Sequence, residues 1–153
     1  MIGDEVGNVI ALVRCAADRA QGHAPAARVR IRGGLLGHWS VWTRTAVELL
    51  ARVQRGPIDE DLLALDARVT DCNSAFFDVA HDFAGCIPGC HEVLRRQGLL
   101  EGIWCLDPRE TLSPGQSAEI DRVVREHADL ADDAFVRENL ERDPATGRKH
   151  AVF

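Results

Sequence analysis

Apolar residues recur every three or four positions along most of this chain, which is the spacing typical of amphipathic helices. The first such stripe lies in residues 4–20 and consists of Val6, Ile10, Val13 and Ala17. A second stripe begins at Trp42 and stops at Gly56, with Ala46, Leu49, Leu50 and Val53 between them. The pattern therefore predicts two amphipathic helices in the first third of the chain.

The longest stripe follows Pro57, a residue favoured in the first turn of a helix. Its members alternate steps of three and four and are Leu62, Leu65, Val69, Cys72, Phe76, Val79 and Phe83. This spacing predicts one helix of about 25 residues, longer than the average helix of a globular protein, closed by Gly85.

The remaining helices are marked by their end signals. Pro88 predicts the start of a helix that ends at Gly98, a natural left-handed residue. Asp107-Pro108 predicts a turn. Ser113, Pro114 and Gln116 fit a capping box at the start of the next helix, whose buried side is Ile120, Val123 and Val124. Asp132 caps a last helix that carries Phe135, Val136 and Leu140.

Strand signals are confined to one region. The stretch Arg28–Arg32 alternates polar and apolar residues, which predicts a short strand. The segment Leu35–Val41 fits either a second strand or a lead into a helix that begins near Ser40. One or two strands are marginal without more sheet. We therefore expect a mostly α chain whose strands pair with another copy or partner, or which is a piece of a larger architecture.

Composition and charge limit the classes of function. The chain has 153 residues, 46% of them hydrophobic and 27% charged, as in an ordinary single domain. A net charge of −6 argues against nucleic acid binding. No apolar run reaches the ~18 residues of a membrane span, and the first residues lack the basic region of a signal peptide. We expect a cytoplasmic protein that binds neither membranes nor nucleic acid.

Five cysteines without the dense spacing of a secreted scaffold predict reduced, mostly buried thiols. Cys86, Cys90 and His91 leave open a small metal-binding helical protein. However, Cys90 and His91 are adjacent, so on a helix they point about 100° apart. We therefore assign no metal ligand and no cofactor.

Acidic and histidine residues recur on the predicted long helix, at Asp71, Asp78, His81 and Asp82. Asp78 lies three residues before His81 and four before Asp82, a spacing that allows an acid–base or metal pair on one helix face. These positions fall between the members of the apolar stripe, so a solvated helix face is the favoured interpretation.

Three segments carry a family resemblance: Gly3-Asp4 with the helix Asn8–Ala20, the pattern Gly34-x-x-Gly37-x-x-Ser40-Val41, and the helices after Pro57 with Gly98-Leu99-Leu100 and the apolar stretch through Leu106 to Pro114. The block Phe83–Gln116, within the third segment and just beyond it, is the most informative part. Together the three segments resemble the C-terminal part of the dihydrodipicolinate synthase and N-acetylneuraminate lyase family. The resemblance implies the C-terminal fragment of a (β/α)8 barrel with its helical extension. On this basis residues 1–56 are the last barrel elements, 57–141 the helical C-terminal region and 142–153 a flexible tail.

The resemblance also implies a chemistry. In that family a lysine forms a Schiff base with a 2-oxo acid such as pyruvate, and a tyrosine shuttles protons. Here both would lie before Met1, the sequence has no tyrosine, and its only lysine is Lys149 in the polar tail. A solvated lysine keeps a pKa near ~10.4 and stays protonated. We expect a truncated or divergent family member without catalytic residues, inactive as this chain alone.

Substrate-binding candidates follow from the same resemblance. Gly37, His38 and Ser40 lie at the segment similar to the last barrel strand, and barrel enzymes display site residues where strands end. The alternative for His38 is a partly buried histidine bonded to backbone. A different function is also open: a helical interaction module whose partner is a second copy or a full-length family member.

Overall fold

The computed structural model describes residues 37–55 and 59–141, and in this part of the chain the regular structure is helical, with no strand. The five α-helices are α1 (Thr43–Arg55), α2 (Glu60–Phe76), α3 (Cys86–Arg96), α4 (Gln116–Glu126) and α5 (Asp133–Glu141). Short 3-10 helices cover Gly37–Ser40, Val79–His81 and Ala128–Leu130. The mostly α class is confirmed. The predicted helix 4–20, strand Arg28–Arg32 and tail 142–153 lie outside the described residues.

The segment before α1 is not a strand where it is described. Gly37–Ser40 form a 3-10 helix, and α1 begins at Thr43, close to the helical alternative. Trp42 takes a left-handed conformation at the junction, with φ 50°. Helix α1 then follows the predicted stripe and ends at Arg55, with Ala46 buried on its inner side.

The prediction of a 25-residue helix after Pro57 is wrong in length. Helix α2 has 17 residues, is capped by the Asp59 side chain at the Leu62 amide, and ends at Phe76. Asp78 then adopts φ 58°, a left-handed conformation that stops a right-handed helix. The apolar period continues through this point, and no glycine or proline marks the break. The sequence therefore carries no local signal for it.

Helices α3 and α4 are close to their predicted positions. Gly98 has φ 80°, and the Leu99 amide donates to the Leu94 carbonyl at 3.0 Å, as in a Schellman motif. Helix α4 starts at Gln116 with Gly115 as its cap, two residues after the predicted cap Ser113. Half of the capping box forms, because the Ser113 amide donates to the Gln116 side chain.

One hydrophobic core joins α2, α3 and α4 to the residues that lead into α1. Trp42 meets Phe76 edge to face, with ring centroids 5.1 Å apart. The core also contains Val41, Val69, Cys72, Val93, Ile120 and Val123. In the described residues, no helix is both long and apolar enough to cross a membrane.

Candidate functional site

The predicted substrate-binding residues lie together but face different surroundings. Ser40 is exposed, and its hydroxyl donates to the Gly37 carbonyl at 2.6 Å. The His38 ring is buried, and its Nδ1 lies 2.7 Å from Asn73 Oδ1 on α2. Burial lowers the pKa of His38, with the Asn73 contact acting in the opposite direction. His38 is thus held as a neutral core residue, and its assignment to substrate stays a prediction.

Gln116, the first residue of α4, is the most connected polar side chain of the core. Its Nε2 donates to the carbonyls of Ala75, Phe76 and Gly85 at 3.2, 3.4 and 2.9 Å. Two of these carbonyls end α2, where the last four carbonyls of a helix have no partner within it. Gln116 therefore caps α2 from a different helix.

Two glycines make this cap possible. A Cβ atom on Gly85 would lie 2.1 Å from Gln116 Oε1, and one on Gly89 would lie 2.1 Å from the Phe76 carbonyl oxygen. Only glycine lets α3 approach the end of α2 this closely. We call Gly85, Gly89 and Gln116 the brace. All three lie within the block that carries the family resemblance.

Asp78 extends the brace and accounts for the left-handed turn. Its carboxylate accepts hydrogen bonds from the Gly85 amide at 2.9 Å and the Ser113 hydroxyl at 2.5 Å, and it contacts His81 Nδ1 at 2.7 Å. Burial acts to raise the pKa of Asp78, but these hydrogen bonds outweigh it and the pKa lies below its ordinary value. The expected solvated face is wrong for Asp78, which is 3% exposed.

The order of these groups does not suit nucleophilic catalysis. In a Ser-His-Asp triad the histidine stands between the hydroxyl and the carboxylate. Here the Asp78 carboxylate stands between Ser113 and His81. A carboxylate with a lowered pKa is a weak base, so it does not activate the Ser113 hydroxyl. The cluster is suited to holding the turn in place.

A second polar cluster joins α2 to the end of α4. The possible metal-ligand atoms of Asp71, Glu126 and His127 lie within 4.8 Å of one another, a spacing that suits a metal ion. However, Arg122 donates to both Asp71 and Glu126, and the His127 Nε2 lies 2.8 Å from Asp71. The Arg122 contacts lower the pKa of Asp71 to about 2. The positive charge of the Arg122 guanidinium thus already compensates the negative charge of Asp71 and Glu126.

The described cysteines do not take part in a group of converging metal ligands. Cys86, Cys90 and His91 are not among the residues whose donor atoms converge at metal spacing. Burial raises the pKa of Cys72 to about 12, and burial with Glu110 raises that of Cys105. Both thiols are therefore protonated and poorly nucleophilic at neutral pH.

An apolar groove opens on the described surface. Its volume is about 490 Å³, and its walls come from the start of α1, the end of α3 and α5. The apolar lining includes Val47, Leu94, Leu99, Phe135, Val136 and Leu140. At its rim Asp132 accepts from the Arg44 amide at 2.9 Å and from Gln97 Nε2 at 2.7 Å. Asp132, which directly precedes α5, is therefore hydrogen-bonded to both other walls of the groove.

Sequence reasoning missed both the brace and the groove. The capping-box spacing identified Gln116, but as a local cap and not as a cross-link to α2. The groove has no signal of its own, because its lining comes from helices that are distant in sequence. No protein-family model matches the chain, and neither a curated protein nor a solved structure matches it.

Proposed function

We propose that this chain is a divergent member of the dihydrodipicolinate synthase and N-acetylneuraminate lyase family. It supplies the last barrel elements and the helical C-terminal region, and it does not run Schiff-base chemistry as this chain alone. The proposal rests on the structural role of the block Phe83–Gln116. Its unusual residues Gly85, Gly89 and Gln116 all pack helices together, a role that suits a structural region beside a reaction centre.

The inventory of reactive groups supports the same proposal. Schiff-base formation needs an amine that is unprotonated at working pH, which burial or a neighbouring cation provides. The single lysine of the sequence, Lys149, lies outside the described residues, and the sequence has no tyrosine to move protons. The enclosed acids Asp78 and Glu92 are held as carboxylates by their hydrogen-bond donors.

Reductive trapping tests the proposal. The chain is incubated with pyruvate and borohydride and its mass is measured beside the variant Lys149→Arg. We expect the same unmodified mass for both, because a protonated lysine adds slowly to a ketone. A stoichiometric adduct on the chain that disappears in Lys149→Arg would overturn the proposal.

A second candidate function, an interaction module that docks on a second copy, is favoured by one exposed surface. The segment 99–112 presents a fully exposed Leu106 and Trp104, which is 59% exposed. Cys105 lies 4.0 Å from His91 on α3, one turn after the exposed Ile87. Ile87, Trp104 and Leu106 are therefore exposed large apolar side chains, and exposed apolar surface commonly marks interaction sites when it is contiguous.

Light scattering separates this candidate from the first. If the surface mediates self-association, the chain is a dimer and Leu106→Ser shifts it toward monomer. Leu63→Ser, which changes another exposed leucine, on α2 and 56% exposed, should leave the mass unchanged. A chain that stays monomeric at all concentrations would contradict the proposal of a self-associating interaction module.

A further inference from the structure

His38 is a buried histidine in the segment that leads into α1. It is 6% exposed, and Asn73, which it contacts from the last turn of α2, is 3% exposed. The Asn73 oxygen Oδ1 can only accept a hydrogen bond, so the His38 nitrogen Nδ1, which lies 2.7 Å away, carries the proton and donates it. In the neutral ring, Nε2 is therefore the unprotonated nitrogen.

A second proton on the His38 ring would have no compensating partner in the described part of the chain. The proton would bind to Nε2, for which the described residues provide no hydrogen-bond acceptor. Among those residues no charged side chain affects the pKa of His38, which burial lowers and the neutral Asn73 raises. The residues of its own segment, 37–43, are also uncharged. A buried charge without a partner is costly, so the attached segment favours the neutral ring.

The segment that carries His38 is held against the fold by side chains and not by a helix ladder. Contacts that attach it and the start of α1 to other elements are the pairs His38–Asn73, Trp42–Phe76 and Arg44–Asp132. Trp42 has φ 50°, a strained conformation for a bulky residue that persists only where surrounding contacts impose it. The aromatic pair does not titrate, and histidine is the residue type in this set that titrates nearest to neutral pH.

We propose that His38 and Asn73 form an acid-sensitive latch: protonation of the His38 ring weakens the attachment of residues 37–42 to α2. Release moves the ring into water, where it binds a proton more readily, so acid shifts the population toward the released form. Because the folded-state pKa of His38 is lowered, the latch stabilises the attached form above the ordinary pKa of 6.5. This contribution is lost as the pH falls below that value. Trp42 and Thr43 line the groove, so release also loosens its α1 wall. The inference does not depend on the proposed Schiff-base family.

Amide hydrogen exchange of the full chain at pH 7.5 and pH 5.5 tests the latch. The Ala46 amide donates to the Trp42 carbonyl at 3.1 Å, so it reports whether the segment is attached. Its protection, taken relative to an unstructured chain at the same pH, should fall by about tenfold. This is the ratio for a histidine that stays neutral when attached and has its ordinary pKa of 6.5 when released. Exchange at Ala46 should also depend less on urea than exchange at Gly89, because only a segment opens. Equal urea dependence would mean that the whole fold opens, and it would overturn the proposal.

Two histidine substitutions assign the effect to the latch. His38→Asn keeps an amide donor near the position of Nδ1 but cannot take up a proton. Ala46 protection in this variant should therefore not show the tenfold fall. His91→Asn, which changes a partly exposed histidine on α3, is the matched control and should keep the fall. A fall of the same size in His38→Asn would overturn the proposal.

Nitrogen NMR of the parent ring gives a test that does not require His38→Asn to fold. The attached His38 ring should keep the signals of a neutral imidazole with the proton on Nδ1 from pH 7.5 to pH 5.5. A ring that takes up a second proton in this range, while the Ala46 amide keeps its protection, would overturn the proposal.

Discussion

The brace and the groove are two helix junctions of the same chain with opposite physical character. At the brace, glycines let the backbones of α2 and α3 approach closely, and Gln116 Nε2 donates to three buried carbonyls. At the groove, side chains line an open apolar surface, and polar contacts stand at its rim. The distinctive glycines of the block therefore lie at the junction where an added Cβ atom would clash with a neighbouring helix.

The largest expected effect is at the closest backbone contact. Gly89→Ala places a methyl group 2.1 Å from the Phe76 carbonyl oxygen, so α3 must move away from α2. We expect a loss of more than about 3 kcal/mol in the free energy of unfolding, at the upper end of overpacking costs. Urea denaturation followed by circular dichroism measures it.

Gly115→Ala is the matched control for that substitution. Gly115 has φ 85°, but a Cβ atom there meets nothing within 4 Å. Its cost is the left-handed conformation alone, roughly 1 kcal/mol. Gly89 lies inside α3 and has no positive φ, so its predicted cost comes from the close helix approach alone. Equal losses for the two variants would contradict a larger cost at Gly89.

A pair of glutamine substitutions compares the two junctions directly. Gln116→Leu leaves the carbonyls of Ala75, Phe76 and Gly85 without this donor, and we expect a loss of about 2 kcal/mol. Gln97→Leu at the groove rim should cost no more than about 1 kcal/mol, because Asp132 keeps its bond from the Arg44 amide. Urea denaturation of the two variants, measured in parallel, gives both losses in the free energy of unfolding. A larger loss for Gln97→Leu than for Gln116→Leu would contradict the comparison.

Lowering the pH should remove more stability through Glu92, on the same helix as Gly89 of the brace, than through Glu48 at the groove. Arg95 is the main cause that lowers the pKa of the buried Glu92 to about 2, from an ordinary 4.5. A carboxyl group with a lowered folded-state pKa stabilises the fold above its unfolded pKa, and this contribution is lost as the pH falls from about 4.5 toward 2. We therefore expect Glu92→Gln to be less stable than the parent at pH 7 and nearly equal to it at pH 2.

The control for this pH dependence is Glu48→Gln at the groove. Glu48 pairs with Arg44 across one helical turn, and both side chains are more than half exposed. Exposed pairs of this kind contribute little. Urea midpoints between pH 7 and pH 2 should therefore differ little from those of the parent chain. A pH-independent difference for Glu92→Gln would contradict the ion-pair explanation.

Helix positions were largely predictable because each stripe and end signal is local. Gly98 is the clearest case, since its left-handed conformation is the one its position after α3 predicted. The end of α2 was not predictable, because Asp78 holds its turn through Ser113, 35 residues away. A long-range hydrogen bond leaves no trace in the spacing of apolar residues.

The candidate site was less predictable than the fold. Gly37, His38 and Ser40 were chosen by resemblance, and the sequence does not show that the His38 ring contacts Asn73. Asp71 was read as part of a solvated face, although Arg122 and His127 from the end of α4 both contact it. Such clusters depend on how helices pack and not on the order of residues within one helix.

Residue-resolved amide hydrogen exchange tests whether the brace is the most tightly packed helix junction of the described chain. The Gly89 amide donates to Gly85 at 2.8 Å and the Val136 amide donates to Asp132 at 3.0 Å, each in the first turn of its helix. We predict that the Gly89 amide exchanges about tenfold more slowly or slower still, because it opens only when α2 and α3 separate. Exchange at Gly89 as fast as at Val136 would contradict the account.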